Sequence, residues 1–259
     1  MSETTEERAK RERQRVLFDS VAGVYHQTRQ GYPREVVRWI VETAGLGEGA
    51  FVLEVGCGTG QLTAALVRHP LRVTAIDIGA AMIETARRHV SGRVSFAVSS
   101  FEQFAAAETS FDLVISATAA HWIDPDVLWT RAARLLRPGG WLAIMWVGEE
   151  YDEPVRSALR QAWVRCSSDG GRWTRTPPPT AAERIAASGL FEPPVEKTHA
   201  QRAELRPERV MNLERTRATY LDYDPATRAS FDAELGAALS GLGSVSVTVR
   251  TQVAMARVL

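Results

Sequence analysis

Three glycines at alternate positions, Gly56, Gly58 and Gly60, close the run Val52-Leu53-Glu54-Val55-Gly56-Cys57-Gly58-Thr59-Gly60, and Gln61 then opens a helical pattern. Glycines at a strand-to-helix turn adopt backbone angles closed to other residues and remove side chains that would block a ligand, so this backbone is built for close approach. A helix N-terminus ordinarily favours an anion such as a pyrophosphate. Here an acid, Glu54, precedes the first glycine, and the spacing is G-x-G-x-G where a dinucleotide loop has G-x-G-x-x-G. Both features disfavour phosphate and suit a cation. A second acid, Asp77, lies about 20 residues beyond Gly56, where a carboxylate can accept from both hydroxyls of a ribose. A cationic adenosine without phosphates satisfies all three features, and S-adenosylmethionine is such a molecule.

These residues need a strand to carry the loop and a sheet to carry the strand. Apolar runs at 51–55, 72–76 and 111–116, a weaker one at 94–98, and 141–147 after Pro138-Gly139-Gly140 read as strands. Amphipathic segments at 61–68, 80–90 and 125–136 read as helices between them, the last with Asp124 as N-cap and Pro125 in its first turn. A further helix is expected at 34–43, where Val36, Val37, Ile40 and Val41 recur at helical spacing. Alternating strands and helices imply an α/β, doubly wound, mostly parallel sheet covered on both faces. Beyond Val147 the pattern gives helices at about 153–166, 180–188, 207–220 and 225–239, a strand at 195–199, and a Val-rich strand at 246–257 expected to rejoin the sheet. Residues 1–15, acids first and bases later, are read as a flexible arm; 16–259 are read as one domain with helical lid insertions at about 151–179 and 203–241.

The segment from Glu54 to Gly60 with Asp77 resembles the first motif and the following acid of the class I S-adenosylmethionine-dependent methyltransferases, whose fold is a seven-stranded Rossmann-like sheet. Phe18-Asp19, Tyr25 and Arg29-Gln30-Gly31-Tyr32-Pro33, with Phe111-Asp112-Leu113-Val114, Ala117-Thr118-Ala119-Ala120-His121-Trp122-Ile123-Asp124 and Leu135-Leu136-Arg137-Pro138-Gly139-Gly140, resemble the small-molecule subgroup related to the trans-aconitate and ubiquinone-pathway enzymes. The resemblance implies that Glu54, Gly56, Cys57, Gly58 and Gly60 surround the methionine half of the cofactor. Asp77 and Ile78 would hold ribose and adenine, and Ala117 would close the same side. Many relatives have an Asp where Ser100 aligns; Ser100, Phe101 and the neighbouring Glu102 are the candidates for the adenine edge.

Methyl transfer from a sulfonium is an in-line displacement, so an enzyme chiefly positions the acceptor and excludes water. In an open parallel sheet the reacting centre lies at the C-terminal ends of the strands, which puts His121 near the methyl as the first candidate for a base or an orienting group. Tyr25 and Arg29 are candidates to fold over the cofactor, with Arg29 available to a carboxylate. Tyr32, Trp122, Trp146 and Trp173 are candidates for the acceptor pocket, although Trp146, on a strand expected to be buried, reads first as core. The remaining histidines, His26, His69, His89 and His199, show no metal-ligand spacing, and no metal is implied.

Composition narrows the partners. The chain has 259 residues, 31 basic and 31 acidic, for a formal net charge of zero, which provides no field for nucleic acid or an anionic membrane. Two cysteines, Cys57 and Cys166, are too few for a disulfide framework, and no apolar run reaches a membrane span, so a reducing cytoplasm is the expected setting. The expected function is transfer of a methyl group to an O, N or C atom of a small molecule. Two readings compete: a nicotinamide-dependent oxidoreductase, disfavoured by the glycine spacing, and a non-catalytic scaffold that binds the same cofactor.

Overall fold

The structure, a computed structural model, describes residues 5–166 and 179–259. Seven strands form one sheet in the order β3-β2-β1-β4-β5-β7-β6. They are β1 (Phe51–Val55), β2 (Arg72–Asp77), β3 (Val94–Val98), β4 (Phe111–Ala117), β5 (Leu136–Tyr151), β6 (Val195–Leu205) and β7 (Val245–Arg257). The β1–β2, β2–β3, β1–β4 and β4–β5 pairs are parallel, with Val52 opposite both Val73 and Leu113. The order reverses between β1 and β4, which leaves a crevice beyond the C-terminal ends of these strands.

The described helices are α1 (Thr5–Arg15), α2 (Ala22–Thr28), α3 (Arg34–Thr43), α4 (Gln61–Leu66), α5 (Ala80–His89), α6 (Pro125–Leu135), α7 (Val155–Cys166), α8 (Ala181–Ser188), α9 (Pro207–Arg215), α10 (Ala218–Leu221) and α11 (Pro225–Leu239). None is long and apolar enough to cross a membrane. As its sequence predicts, α6 starts at a cap: the Asp124 carboxylate accepts from the Asp126 N–H at 3.0 Å, and Pro125 occupies the first turn.

Strand alternation divides the core into two layers. Val52, Leu113, Ile115, Ala143, Met145, Val253 and Met255 face α3 and α4, meeting Val37, Ile40 and Leu62. Leu53, Val55, Val114, Leu142, Ile144, Ala254 and Ala256 face the other way, toward Leu128 and Ala132 of α6 and Ile185 of α8. β1 and β4 are apolar on both faces because both faces are covered.

The described residues divide into two compact units, one of 5–147, 179–199 and 251–259, the other of 148–166 and 200–250. The second is wider than the insertions read from sequence because β5 and β6 run on to Tyr151 and Leu205. Its interior is built on charge: the Trp163 indole and the Arg217 guanidinium both donate to Glu214 Oε2, at 3.0 and 2.8 Å, and Arg217 also donates to Glu149 at 3.1 Å. Glu214 is fully buried, and these donors offset the cost of taking its carboxylate out of water. Trp173 lies outside the described residues.

Within the segment read as an arm, residues 5–15 form the helix α1, with Arg11 and Gln14 buried. The cause is the i,i+4 pair Arg11 and Arg15, which reaches one target. Arg11 and Arg15 donate to the Trp122 carbonyl at 3.0 and 3.4 Å, and Arg15 pairs with Glu102 at 3.1 Å.

Candidate active site

The crevice at the ends of β1, β2 and β4 holds a cleft of about 700 Å³ including its open mouth. Val55, Gly56 and Gly58 form its floor; Ile76, Asp77, Ile78 and Met82 one wall; Ala117, Thr118, Ala119, Trp122 and Ile123 the opposite wall; Ser99, Phe101 and Glu102 one end; and Arg15, Phe18 and Tyr25 come from the N-terminal segment.

The glycine loop divides its labour. Gly56, Gly58 and Gly60 all have positive φ, at 71°, 54° and 87°. A Cβ on Gly56 would lie 2.3 Å from Ala119 Cβ, so this glycine lets the two sides of the cleft meet. A Cβ on Gly58 would meet only Tyr25, at 3.9 Å, and would enter space a ligand could use. Gly60 does not line the cleft; it packs under α5, where a Cβ would meet Val90 at 2.8 Å. Cys57 is likewise outside the lining, buried with its thiol facing the Gly58 carbonyl at 3.7 Å, and burial raises its pKa.

Asp77 ties the loop to β2. Its Oδ2 accepts from Gly58 N–H and its Oδ1 from Gly79 N–H, both at 2.9 Å. Burial raises its pKa, with the Asp19 charge adding to the effect and the Gly79, Gly58 and Ile78 N–H donors opposing it. A carboxylate has about four lone-pair sites, so these three donors leave acceptor capacity for a ribose hydroxyl. Glu54 sits behind the loop, 2% exposed, accepting from Thr63 Oγ1 at 2.7 Å. Burial pushes its pKa up to about 8, the Asp77 charge contributes in the same sense, and the Thr63 hydroxyl opposes. Its influence on the cleft is therefore electrostatic, exerted through the glycine backbone.

The N-terminal segment closes one side. Asp19 Oδ1 accepts from Ala81 and Met82 N–H at 2.7 and 3.1 Å, capping α5 from 62 residues away. The His26 and His89 rings stack at 3.9 Å, joining α2 to the last turn of α5. Tyr25 lines the cleft, and the Arg29 guanidinium lies 5.3 Å from the Tyr25 ring centroid, outside the lining. Tyr32 also lies outside; it is hydrogen-bonded to Thr118, and burial raises its pKa.

The structure separates the candidates Ser100, Phe101 and Glu102. Ser100 accepts from Gln103 N–H at 3.2 Å, locally capping its own turn, and it does not line the cleft. Ser99, Phe101 and Glu102 do. Glu102 also accepts from Asp124 N–H at 3.3 Å, and its pairing with Arg15 and these N–H contacts lower its pKa against the opposing effect of burial.

The loop after β4 carries strain. Thr118 has φ of 54°, rare for a β-branched residue, and its N–H donates to the Met145 carbonyl at 2.9 Å. Trp122 lines the cleft as expected, whereas His121 lies beyond it. Its ring is 4.5 Å from that of Trp122 and 5.1 Å from that of Trp146. His121 is an exposed residue, yet the protein crowded around it withdraws enough water to lower its pKa, and the Arg184 charge acts in the same sense. Trp146 is not core: it is 48% exposed, because it lies within β5 one step beyond Ile144, where the covering of that face stops.

Sequence reasoning missed Arg15, Thr118, Ser99 and the capping role of Asp19. The i,i+4 spacing of Arg11 and Arg15 was a legible signal. Nothing in Ala117-Thr118-Ala119 announces a positive φ.

Residues 53–144 match the family described as "Methyltransferase domain". An uncharacterized methyltransferase of Mycobacterium tuberculosis is 35% identical over 148 residues, 57% of this chain and 56% of its own length. The chain thus spans about half the length of the curated relatives it matches. A provisionally assigned type II methyltransferase from Anaeromyxobacter dehalogenans has a solved structure that is 28% identical, with a TM-score of 0.59 over 88% of this chain and 97% of that one. A phosphoethanolamine N-methyltransferase of Haemonchus contortus, solved with S-adenosylhomocysteine, shares the fold at 19% identity and a TM-score of 0.51, covering 91% of this chain and 57% of that one. The matched segment, residues 53–144, thus resembles a methyltransferase domain.

Proposed function

We propose that the protein transfers a methyl group from S-adenosylmethionine to an O, N or C atom of a small-molecule acceptor. One observation carries this reading. A positive-φ glycine, Gly58, opens onto a cleft whose wall holds the carboxylate of Asp77, with the buried acid Glu54 behind the floor. The residues fit a cation attached to an adenosine: Gly56 and Gly58 leave room along the floor, Asp77 keeps acceptor capacity for ribose hydroxyls, and Ile78 and Phe101 offer apolar surface to a base. Bound S-adenosylmethionine supplies a methyl carbon on a cationic sulfur; the acceptor's lone pair forms the new bond while the carbon–sulfur pair stays on sulfur.

The chain's own part is placement and electrostatics. Glu54, whose pKa is pushed up to about 8 by burial, gains from a cation nearby, so binding of the cofactor favours release of its proton to solvent. Trp122, Tyr25 and Phe18 shield the cleft from water. His121, whose ring lies 4.5 Å from that of Trp122, is the candidate to receive an acceptor's proton.

Thermal denaturation with S-adenosylhomocysteine and, separately, NAD tests the reading. A ligand at 100 times its Kd stabilises by about 2.7 kcal/mol, and stabilisation by NAD alone would refute it. Transfer of labelled methyl to any small acceptor separates an enzyme from a scaffold that only binds the cofactor.

A further inference from the structure

A tryptophan left half uncovered within a central strand calls for an explanation. Trp146 is 48% exposed, although Ile144 and Met145 just before it are 7% and 1% exposed. It is also not isolated. His121 lies between it and Trp122, with ring centroids 5.1 and 4.5 Å away and interplanar angles of 66° and 45°. Trp122 is at the same time a wall of the cleft. An aromatic surface therefore runs without a break from inside the cleft to an exposed indole. The strained Thr118, whose N–H is bonded to the Met145 carbonyl, fixes the loop carrying His121 and Trp122 to the strand carrying Trp146. Single exposed aromatics are common, whereas a contiguous group joined to a pocket marks a ligand surface.

We infer that His121 and Trp146, with Trp122 as the shared wall, form an acceptor subsite for a planar aromatic ring. The inference rests on the methyl-transfer reading and sharpens it by naming the acceptor class: an aryl compound whose ring packs on Trp146 and whose reacting substituent lies toward Trp122. Flat rings gain from offset or edge contacts with indole beyond the area they bury, which a saturated ring of equal size does not.

The test uses the full chain saturated with S-adenosylhomocysteine and two alcohols of one carbon skeleton, 2-naphthol and decahydro-2-naphthol, titrated by calorimetry. The expected result is at least tenfold tighter binding of 2-naphthol. Trp146→Leu, which keeps apolar volume without a ring face, should erase the preference, and Trp146→Phe should retain most of it. S-adenosylhomocysteine affinity should stay within twofold in both variants. Equal binding of the two alcohols, binding of neither, or a preference surviving in Trp146→Leu overturns the subsite. Absence of S-adenosylhomocysteine binding to the unaltered chain is a separate outcome: it overturns the methyl-transfer reading, and with it the inference.

Discussion

The two ends of the cleft are made of different material. At the ends of β1 and β2 the contacts come from backbone: glycine floor, Gly58 and Gly79 N–H groups gathered by Asp77, and an acid buried behind. At the ends of β4 and β5 they come from side chains, Trp122, His121 and Trp146, held by one strained residue. Backbone contacts tolerate almost no change at the glycines and depend little on neighbouring side-chain types. Side-chain contacts can be exchanged one at a time without disturbing the sheet. A fixed cofactor and an adaptable acceptor call for that division.

The comparison is open to breakage, most severely at the floor. Gly56→Ala would place a Cβ 2.3 Å from Ala119 Cβ at a φ of 71°, and should cost about 3 kcal/mol of stability in urea denaturation together with measurable cofactor binding. At the aromatic end, His121→Ala should reduce methyl transfer about 100-fold while leaving S-adenosylhomocysteine affinity within about twofold. Equal turnover in variant and parent would reduce His121 to scaffold. Asp77→Asn keeps the shape but weakens the hold on two N–H donors and on a ribose, so S-adenosylhomocysteine affinity should fall about 30-fold by calorimetry.

Glu54 gives a pH signature. Its pKa rises from the ordinary 4.5 to about 8 on folding, so between those values the folded chain holds a proton that the unfolded chain has lost. This group therefore makes stability fall as pH rises through that window, while cofactor affinity rises toward pH 8. Glu54→Gln should flatten both trends, and steep profiles persisting in the variant would assign them elsewhere. The smallest effect is expected from Arg15→Ala. The pair with Glu102 is partly exposed, so the loss in cofactor affinity should be about threefold and should shrink as salt is added.

The backbone-built end was readable in the sequence because glycine spacing and acid position are themselves the mechanism, and β1, β3 and α3 begin and end where periodicity puts them. The aromatic end was readable only as a set of candidates. Trp146 was assigned to the core because alternation gives the face of a residue and not how far along the strand the covering helices reach. Ser100 was assigned to adenine because alignment gives position without direction, and a serine's hydroxyl satisfies its own turn before it reaches a ligand. Arg15 went unseen because a charged helix at a chain start reads as solvated until its target, the Trp122 carbonyl, is folded beside it.

Asp19 leaves a last consequence. It lies one residue from Phe18 in the cleft wall, and its Oδ1 holds the first amides of α5. The Ala81 and Met82 amides are therefore tied to the N-terminal segment by a single side-chain oxygen. Hydrogen–deuterium exchange at those two sites would report directly on any loss of that contact.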